Sequence, residues 1–430
     1  MGYPTLMLRP DLPRELWAYL LASLVNMVGV GMTMPFGAIY LHNVRGIGLG
    51  VVGVVMATLA GASFAGTFVG GHLADRLGPR PTLIASLVTA ATGLASFGFV
   101  QEWWQAVPAL AVAGLGIGIF GPAHAHILAT LAGIERRHAV FSVQRLLDNL
   151  GLGLGGILGG LIAVESEPST YTALFLADAA TALSFALVLP FMALGAAAPK
   201  LDRSRRREGG GYGEVLRQGL VLRVIALNFA FTLLGYGMFE FALPVFAVNE
   251  TGIDERGVGL LFALNTAVVV LAQLPVSRLL RRRRRMQALA GMSVAWAGAW
   301  LAVLAAGGLD SATWSLAVIA AGVGVFAVGE CVLAIPSALV ADLASDELRG
   351  RSLGLIPASS VAGMMVGQPL IGVLLATAPG LAWGASAAAL GAVAIASLSL
   401  DRSLPERLGS VTPTSLSSEP ALASGDSVVR

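Results

Sequence analysis

Charge is scarce in this chain. Asp, Glu, Lys and Arg make up 12% of its 430 residues, where an ordinary soluble domain carries about 25%. Apolar residues reach 56% and the mean hydropathy is +0.78, more apolar surface than a soluble fold can cover. The two soluble domains that length alone would allow are therefore excluded. Cysteine is scarcer still: Cys331 is the only one, which rules out a disulfide framework and a cysteine-based zinc cluster. Lying in an apolar run, it reads as a small packing residue. Histidine occurs five times, and the close pair His124 and His126, two apart and off a common helical face, reads as packing or cavity lining rather than as a metal site. No G-x-x-x-x-G-K-[ST] loop is present, so the chain has no visible ATPase engine. No metal, organic cofactor or nucleic-acid partner is expected.

What the chain has in abundance is long apolar segments. They recur at about 17–41, 49–71, 82–100, 106–129, 139–163, 171–195, 221–248, 258–278, 286–306, 314–341, 352–376 and 381–400, separated by short turns rich in Gly, Pro or charge. A bilayer-spanning helix needs roughly 20 apolar residues, and lipid leaves an open chain no other way to satisfy its backbone. An outer-membrane barrel would need alternating segments of about ten residues, which do not occur. The expected fold is thus an all-α membrane protein with twelve transmembrane helices. The first segment is too long for a secretory signal and no small-residue cleavage site follows it, so it is expected to remain as helix 1.

Net charge is only +2, but the positive residues are unevenly placed. With a cytoplasmic N-terminus, 24 of the 27 Lys and Arg fall in cytoplasmic segments, including Arg136, Arg137, Arg203, Arg205 to Arg207 and the run Arg281 to Arg285. Arg45 and Arg256 lie outside and Arg145 lies within a helix. The positive-inside rule then sets both termini in the cytoplasm of a multi-pass inner-membrane protein. The Arg281 to Arg285 run reads first as a topology anchor against anionic lipid headgroups.

The organisation follows: a cytoplasmic segment 1–16, a six-helix half 17–195, a polar linker 196–218, a second six-helix half 219–401 and a Ser- and Pro-rich tail 402–430 expected to be disordered. The halves echo one another. Glu135, Arg137, Gly151, Gly155 and Gly160 recur as Glu347, Arg349, Gly363, Gly367 and Gly372 at a constant offset of 212, as in the internal duplications of many secondary transporters.

Two motifs carry a family likeness. Gly71-His72-Leu73-Ala74-Asp75-Arg76-Leu77-Gly78-Pro79-Arg80 resembles the G-x-L-a-D-R-x-G-R-R loop after helix 2 of the major facilitator superfamily, departing at Pro79, where a basic residue is usual. Gly151-x-x-x-Gly155-Gly156-x-x-Gly159-Gly160 resembles the helix 5 signature of the family's drug/proton antiporters, with Gly156 where proline is usual. The resemblance, over roughly residues 15–400, implies two pseudo-symmetric six-helix halves rocking about a central site. It also implies a gating loop of Gly71, Asp75, Arg76, Gly78 and Arg80 that latches the halves in the outward-facing state. Helix 4 lacks the family's arginine, so that proton-relay element is not implied here. Read as physics, Gly151, Gly155 and Gly159 share one face and admit a close neighbour helix, while Gly160 completes the motif.

The sharpest chemistry lies in ionisable groups inside apolar helices: Arg145 and Asp148 in helix 5, Asp178 in helix 6, Glu240 in helix 7 and Glu330 in helix 10. Each is costly in lipid, by at least ~2.5 kcal/mol for a central Asp, Lys or Arg, so each is expected to face a cavity or a partner. Arg145, Asp148 and Asn149 fall at i, i+3 and i+4 and can share hydrogen bonds. Carboxylates on helices 5, 7 and 10 resemble the arrangement of lactococcal-type multidrug/proton antiporters, which implies proton coupling through Asp148, Glu240 and Glu330. Asp178, Tyr236, Met32 and Phe239 are further cavity candidates, with Met34, Met238 and Phe241 as adaptable surface.

The expected function is proton-coupled efflux of small lipophilic, often cationic, compounds by alternating access, with protons and membrane lipids as partners and a monomer as the working unit. The rivals are an importer or facilitator of a small metabolite on the same fold, and a membrane enzyme or non-transporting scaffold. The lack of a clustered catalytic His, Ser or Cys constellation argues against the enzyme, and intramembrane charges in both halves argue against the scaffold.

Overall fold

A computed structural model of the chain describes residues 13–192, 212–215, 217–280, 283–345 and 348–404. Residues 1–12, 193–211 and 405–430, and with them most of the expected linker and tail, lie outside the described residues, as do Arg281, Arg282 and Glu347.

The long helices are α1 (Arg14–Val44), α2 (Leu49–Leu77), α3 (Pro79–Phe97), α4 (Trp103–Gly133), α5 (Ala139–Ile162), α6 (Pro168–Phe191), α7 (Gly219–Thr251), α8 (Glu255–Leu279), α9 (Arg285–Ala306), α10 (Ala312–Leu343), α11 (Arg349–Thr377) and α12 (Pro379–Asp401). Local chemistry sets many of the starts. Proline stands in the first turn of α3, α6 and α12, where its missing N–H costs nothing. Asp254 accepts from the Gly257 amide at 2.9 Å to cap α8, and Glu102 with Gln105 forms a capping box on α4. Gly78, with φ of +90°, makes the turn from α2 to α3 that a side chain would strain.

Eleven helices among the described residues are long and apolar enough to cross a membrane. The exception is α3, which opens Pro79-Arg80-Pro81-Thr82 and carries Ser86, Thr89, Thr92 and Ser96. These residues lower its hydropathy, but its 19 residues still reach about 28 Å at a 1.5 Å rise. Phe68, Leu271, Trp314, Phe191 and Ile395 stand exposed on the outside of the bundle, as lipid-facing positions must.

Helix pairing follows the small residues. Gly66, Gly70, Gly114 and Gly118 bring α2 and α4 together, and Gly93 and Gly116 join α3 to α4. Gly151, Gly155 and Gly159 press α5 onto α1 at Leu24 to Phe36. Six helices later, Gly363 and Gly367 press α11 onto α7, α10 packs on both α8 and α9, and α9 packs on α12 as α3 does on α6.

Among the described residues, the close contacts between those before 193 and those after 211 gather at one end. Leu49, Gly50 and Gly53 of α2 meet Gly372, Val373 and Gln368 of α11, while Gly156 and Gly160 of α5 meet Gly259 and Glu255 of α8. All of these lie toward the end carrying loops 45–48, 163–167 and 252–254, here called the far end. The Asn43 amide donates to Asn249 at 2.6 Å and the Tyr171 hydroxyl to Glu255 at 2.9 Å, adding polar ties there. One buried apolar cluster runs across this end, from Phe36, Tyr40 and Val52 to Phe246, Phe262 and Ile371. Toward the other, terminal end, Leu16, Tyr19, Leu83, Ile127, Val140 and Phe185 form a separate cluster of α1, α3, α4, α5 and α6.

Candidate functional site

Three helices lose regular α-geometry at the same depth. α1 turns at Met34 to Phe36 and continues with a π-helical stretch at Tyr40–Val44. α7 is π-helical over Thr232–Ala242. α10 breaks after Glu330 and resumes at Ile335 with Pro336 in its first turn. Indole donors stand beside two of these: Trp300 donates to the Leu234 carbonyl at 2.8 Å, within the π-helical stretch of α7, and Trp296 to the Phe326 carbonyl at 2.9 Å, one turn before the break in α10. Trp296 reaches there because Gly235 and Gly329 leave room for its ring; a Cβ on either would overlap it.

These breaks border a cavity of about 250 Å³ between α1, α5, α7, α8 and α10. Glu240, Glu330, Arg145 and Asn149 supply its charged and amide groups, with Asn265 and Thr266 from α8. Tyr236, Phe239, Phe262 and Met34 give it aromatic and thioether surface. Behind them, Phe239 stacks on Phe326 at 4.9 Å and Phe326 on Trp296 at 4.6 Å, so the wall is one aromatic block. The polar neighbours of the Glu330 carboxyl are the Tyr236 hydroxyl and the Asn265 side chain. Its Oε2 is buried and without a hydrogen-bond partner, as is the Asn265 Oδ1. On the far side the cavity is closed where Gly153 meets Thr266 and Gly156 meets Gly259.

Of the residues singled out from sequence, Arg145, Asn149, Tyr236, Phe239, Glu240 and Glu330 come together here. Asp148 does not line the cavity. It turns toward Ser23 of α1, and Gln144, one turn before it on α5, donates to its Oδ2 at 2.9 Å, while Asn149 donates to the Arg145 carbonyl at 2.8 Å. Asp178 is buried between α6 and α1 and accepts from the Thr33 hydroxyl at 2.6 Å. Met32 packs against Gly155 and Gly159 of α5, and its neighbour Met34 takes the place at the cavity. Cys331 is buried and forms no disulfide, and lies at the start of the break that follows Glu330.

The glycine motif has two faces. Gly151, Gly155 and Gly159 hold α1, whereas Gly160 and Gly156 hold α8 across the far-end contact. The loop of Gly71 to Arg80 lies at the terminal end. Asp75 and Arg76 are exposed there and, among the described residues, make no ion pair. Gly71 has open space beside it, and Arg80 donates to the Pro190 carbonyl at the end of α6. Of the arginine run, Arg284 pairs with Asp401 at 3.0 Å and Arg285 with Asp342 at 2.6 Å, so these two bind helix ends.

Residues of α8 were missed from sequence: Phe262, Asn265, Thr266 and Val269 line the cavity. The signal for Asn265 was present, an amide in the middle of an apolar helix, but a search for ionisable groups passes over it. Trp296 gave no signal beyond size.

This geometry, helices broken at a common depth around a polar cavity at the seam of the bundle, is that of a secondary transporter. The sequence matches the model of the Major Facilitator Superfamily over residues 19–329 and 225–421, and the chain belongs to that family of membrane transporters. Among characterised and uncharacterised relatives, the uncharacterised MFS-type transporter YttB of Bacillus subtilis is 29% identical over 42% of this chain and 44% of its own. The multidrug resistance protein MdtH of Aeromonas hydrophila is 25% identical over 61% of this chain and 64% of its own. The chain thus spans about half to two thirds of the length of these relatives. Solved structures share the fold at low identity: a peptide transporter POT in complex with sulfate (TM-score 0.77, 14% identical, 93% of this chain and 96% of that one) and the nucleoside transporter NupG (TM-score 0.71, 14% identical, 90% and 100%).

Proposed function

We propose that this transporter has twelve membrane helices in two pseudo-symmetric halves and both termini in the cytoplasm of an inner-membrane protein. It exports small lipophilic compounds, cations foremost, in exchange for protons. The observation that carries this reading is the pairing of Glu240 and Glu330 in one cavity with an aromatic wall. Two carboxylates attract a cation, and the aromatic faces add cation–π attraction and apolar contact. A proton and a substrate cation satisfy the same acids, so each displaces the other. That competition couples the two fluxes in a carrier that switches only with one of them bound.

In this orientation the terminal end is cytoplasmic and the far end external. The far-end contacts between α2 and α11 and between α5 and α8 close the external side. Exposed Asp75 and Arg76 are a latch not engaged in this conformation. The cavity therefore receives substrate from the cytoplasm. Rocking opens the far end, external protons take the carboxylates, and the substrate leaves.

The test is pH-gradient-driven movement of ethidium in proteoliposomes bearing the wild type, Glu240→Gln or Glu330→Gln. Export that collapses with the gradient and in both variants supports the reading. A folded wild type that moves none of a broad panel of lipophilic cations overturns multidrug export and leaves an importer or facilitator of a metabolite on the same fold.

A further inference from the structure

A second buried polar cluster lies outside the cavity, in the terminal half of α1, α4 and α5. His124 of α4 is 5% exposed, and its Nδ1 is 2.8 Å from the Tyr19 hydroxyl of α1. Its ring stacks between Tyr19 and Phe120, with centroids at 5.4 and 4.7 Å. Its Nε2 is buried without a partner. One turn along α1 from Tyr19, the Ser23 hydroxyl faces the Asp148 carboxyl. Ser23 Oγ and Asp148 Oδ1 are likewise buried and without partners by hydrogen-bond geometry. The charge of Asp148 also reaches the Tyr19 phenol, and Asp148 is flanked on α5 by Arg145 and Asn149, both of which line the cavity.

Packing alone does not call for this arrangement. Orphaned buried polar atoms each cost about 1–3 kcal/mol, and this small region holds three. Four oxygen- and nitrogen-bearing side chains run from the cavity wall toward the terminal end, in a half that lacks a helix 4 arginine.

We propose that Asp148, Ser23, Tyr19 and His124 form a proton relay beside the cavity, with His124 as a proton-holding site separate from Glu240 and Glu330. A proton on the Asp148 carboxyl passes to the Ser23 or Tyr19 oxygen as that hydroxyl's own proton moves on. It ends on His124 Nδ1, leaving an Asp148 carboxylate and a His124 imidazolium. The Tyr19–His124 hydrogen bond reverses, so that Nδ1 donates to the phenol oxygen, and no bond to carbon changes. Around His124 stand Tyr19 from α1 and Phe120 on its own helix, with the Phe185 ring of α6 packed on both of these and the Asp148 carboxyl of α5 acting on Tyr19. Asp178 on α6 is two turns from Phe185 and faces Thr33. Arg145 and Gln144 are the neighbours of Asp148 on its own helix.

The inference rests on the proton-coupled reading above but is read without any substrate. Spin labels are placed at Leu77→Cys and Leu279→Cys, exposed positions at the terminal ends of α2 and α8, in a Cys331→Ala background of the full chain in nanodiscs. Their separation is followed against pH. The expected result is a pH-dependent change whose midpoint moves by about one pH unit, tenfold in proton concentration, in both His124→Gln and Tyr19→Phe. Phe185→Leu, which disturbs the same apolar cluster, leaves it in place. Tyr19→Phe removes only a hydroxyl, so it decides the matter if His124→Gln does not fold. An unmoved midpoint in Tyr19→Phe, or a wild type with no pH-dependent change, overturns the relay. A wild type that moves no ethidium yet shows the His124-dependent midpoint sinks the drug-export reading alone.

Discussion

Gly259→Ala tests the one-sided closure most directly. Gly259 of α8 lies against the Gly156 carbonyl of α5, with the Gly156 carbonyl carbon at 3.2 Å and the Gly160 Cα at 3.2 Å from where a Cβ would stand, and the carbonyl oxygen nearer still. These are backbone atoms that cannot swing away, so the helices must part at the far end. Overpacking of this kind costs about 1–3 kcal/mol. Because the clash exists only while the far end is closed, the cost falls on that conformation, and the open-to-closed ratio at the far end rises roughly 5- to 140-fold at 1.4 kcal/mol per tenfold. The spin-label pair at Leu77→Cys and Leu279→Cys should report a population with the terminal ends drawn together. Gly155→Ala is the control. Its Cβ would meet Gly31 at 2.7 Å on α1, within the first six helices, so it should lower thermal stability by a similar amount without shifting the distance distribution. A folded Gly259→Ala protein with the wild-type distribution would refute the idea that this contact holds the far end shut.

Tyr171→Phe should act in the same direction as Gly259→Ala, because it removes the 2.9 Å hydrogen bond to Glu255, a bond to a charged group of about 1.5–3 kcal/mol; the same labels read it. Trp296→Ala should cost about 3–5 kcal/mol in thermal unfolding and abolish transport, since the indole both fills the space at Gly235 and Gly329 and holds the Phe326 carbonyl beside Glu330. Thr33→Val should lower stability by about 1–3 kcal/mol by leaving the buried Asp178 without its donor, while ethidium export, which depends on another cavity, continues.

Much of the fold was legible because lipid imposes a simple rule. Apolar runs of sufficient length must be helices, and their ends fell near the observed ones, with α3 set apart by its own Pro, Arg, Thr and Ser content. The site was legible to the extent that it depends on charge. Glu240, Glu330 and Arg145 stand out in an apolar sequence because burying them is costly, and they converge on one cavity. Direction was harder to read. Asp148 lies three residues from Arg145, yet faces Ser23 of α1 rather than the cavity, since a helical turn spans both a lining face and a packing face. Met32 and Met34 divide in the same way. The Tyr19–His124 contact joins residues 105 apart in sequence, and nothing in the spacing of either residue announces it.

The register of α2 against α11 locates where the latch should close. Leu49 meets Gly372 and Gly53 meets Gln368, and Gly61 lies against the tip of the Met365 side chain, so the two helices run antiparallel and α2 advances toward the terminal end as α11 is followed backward. Asp75 lies 14 residues past Gly61, and Arg351 lies 14 residues before Met365. If the halves rock about the cavity as rigid bodies, closing the terminal end brings Asp75 opposite Arg351, with Arg349 half a turn away. Exposed opposite charges there would add about 0.2–1 kcal/mol each, enough to bias a balanced equilibrium without locking it. Asp75→Cys with Arg351→Cys should therefore form a disulfide, which needs Cα atoms within about 7 Å, rapidly in the Gly259→Ala background and slowly in the wild type. Equal rates in both backgrounds would mean that far-end opening and terminal-end closure are not one motion, and no cross-link in either would place the partner of Asp75 elsewhere than on α11.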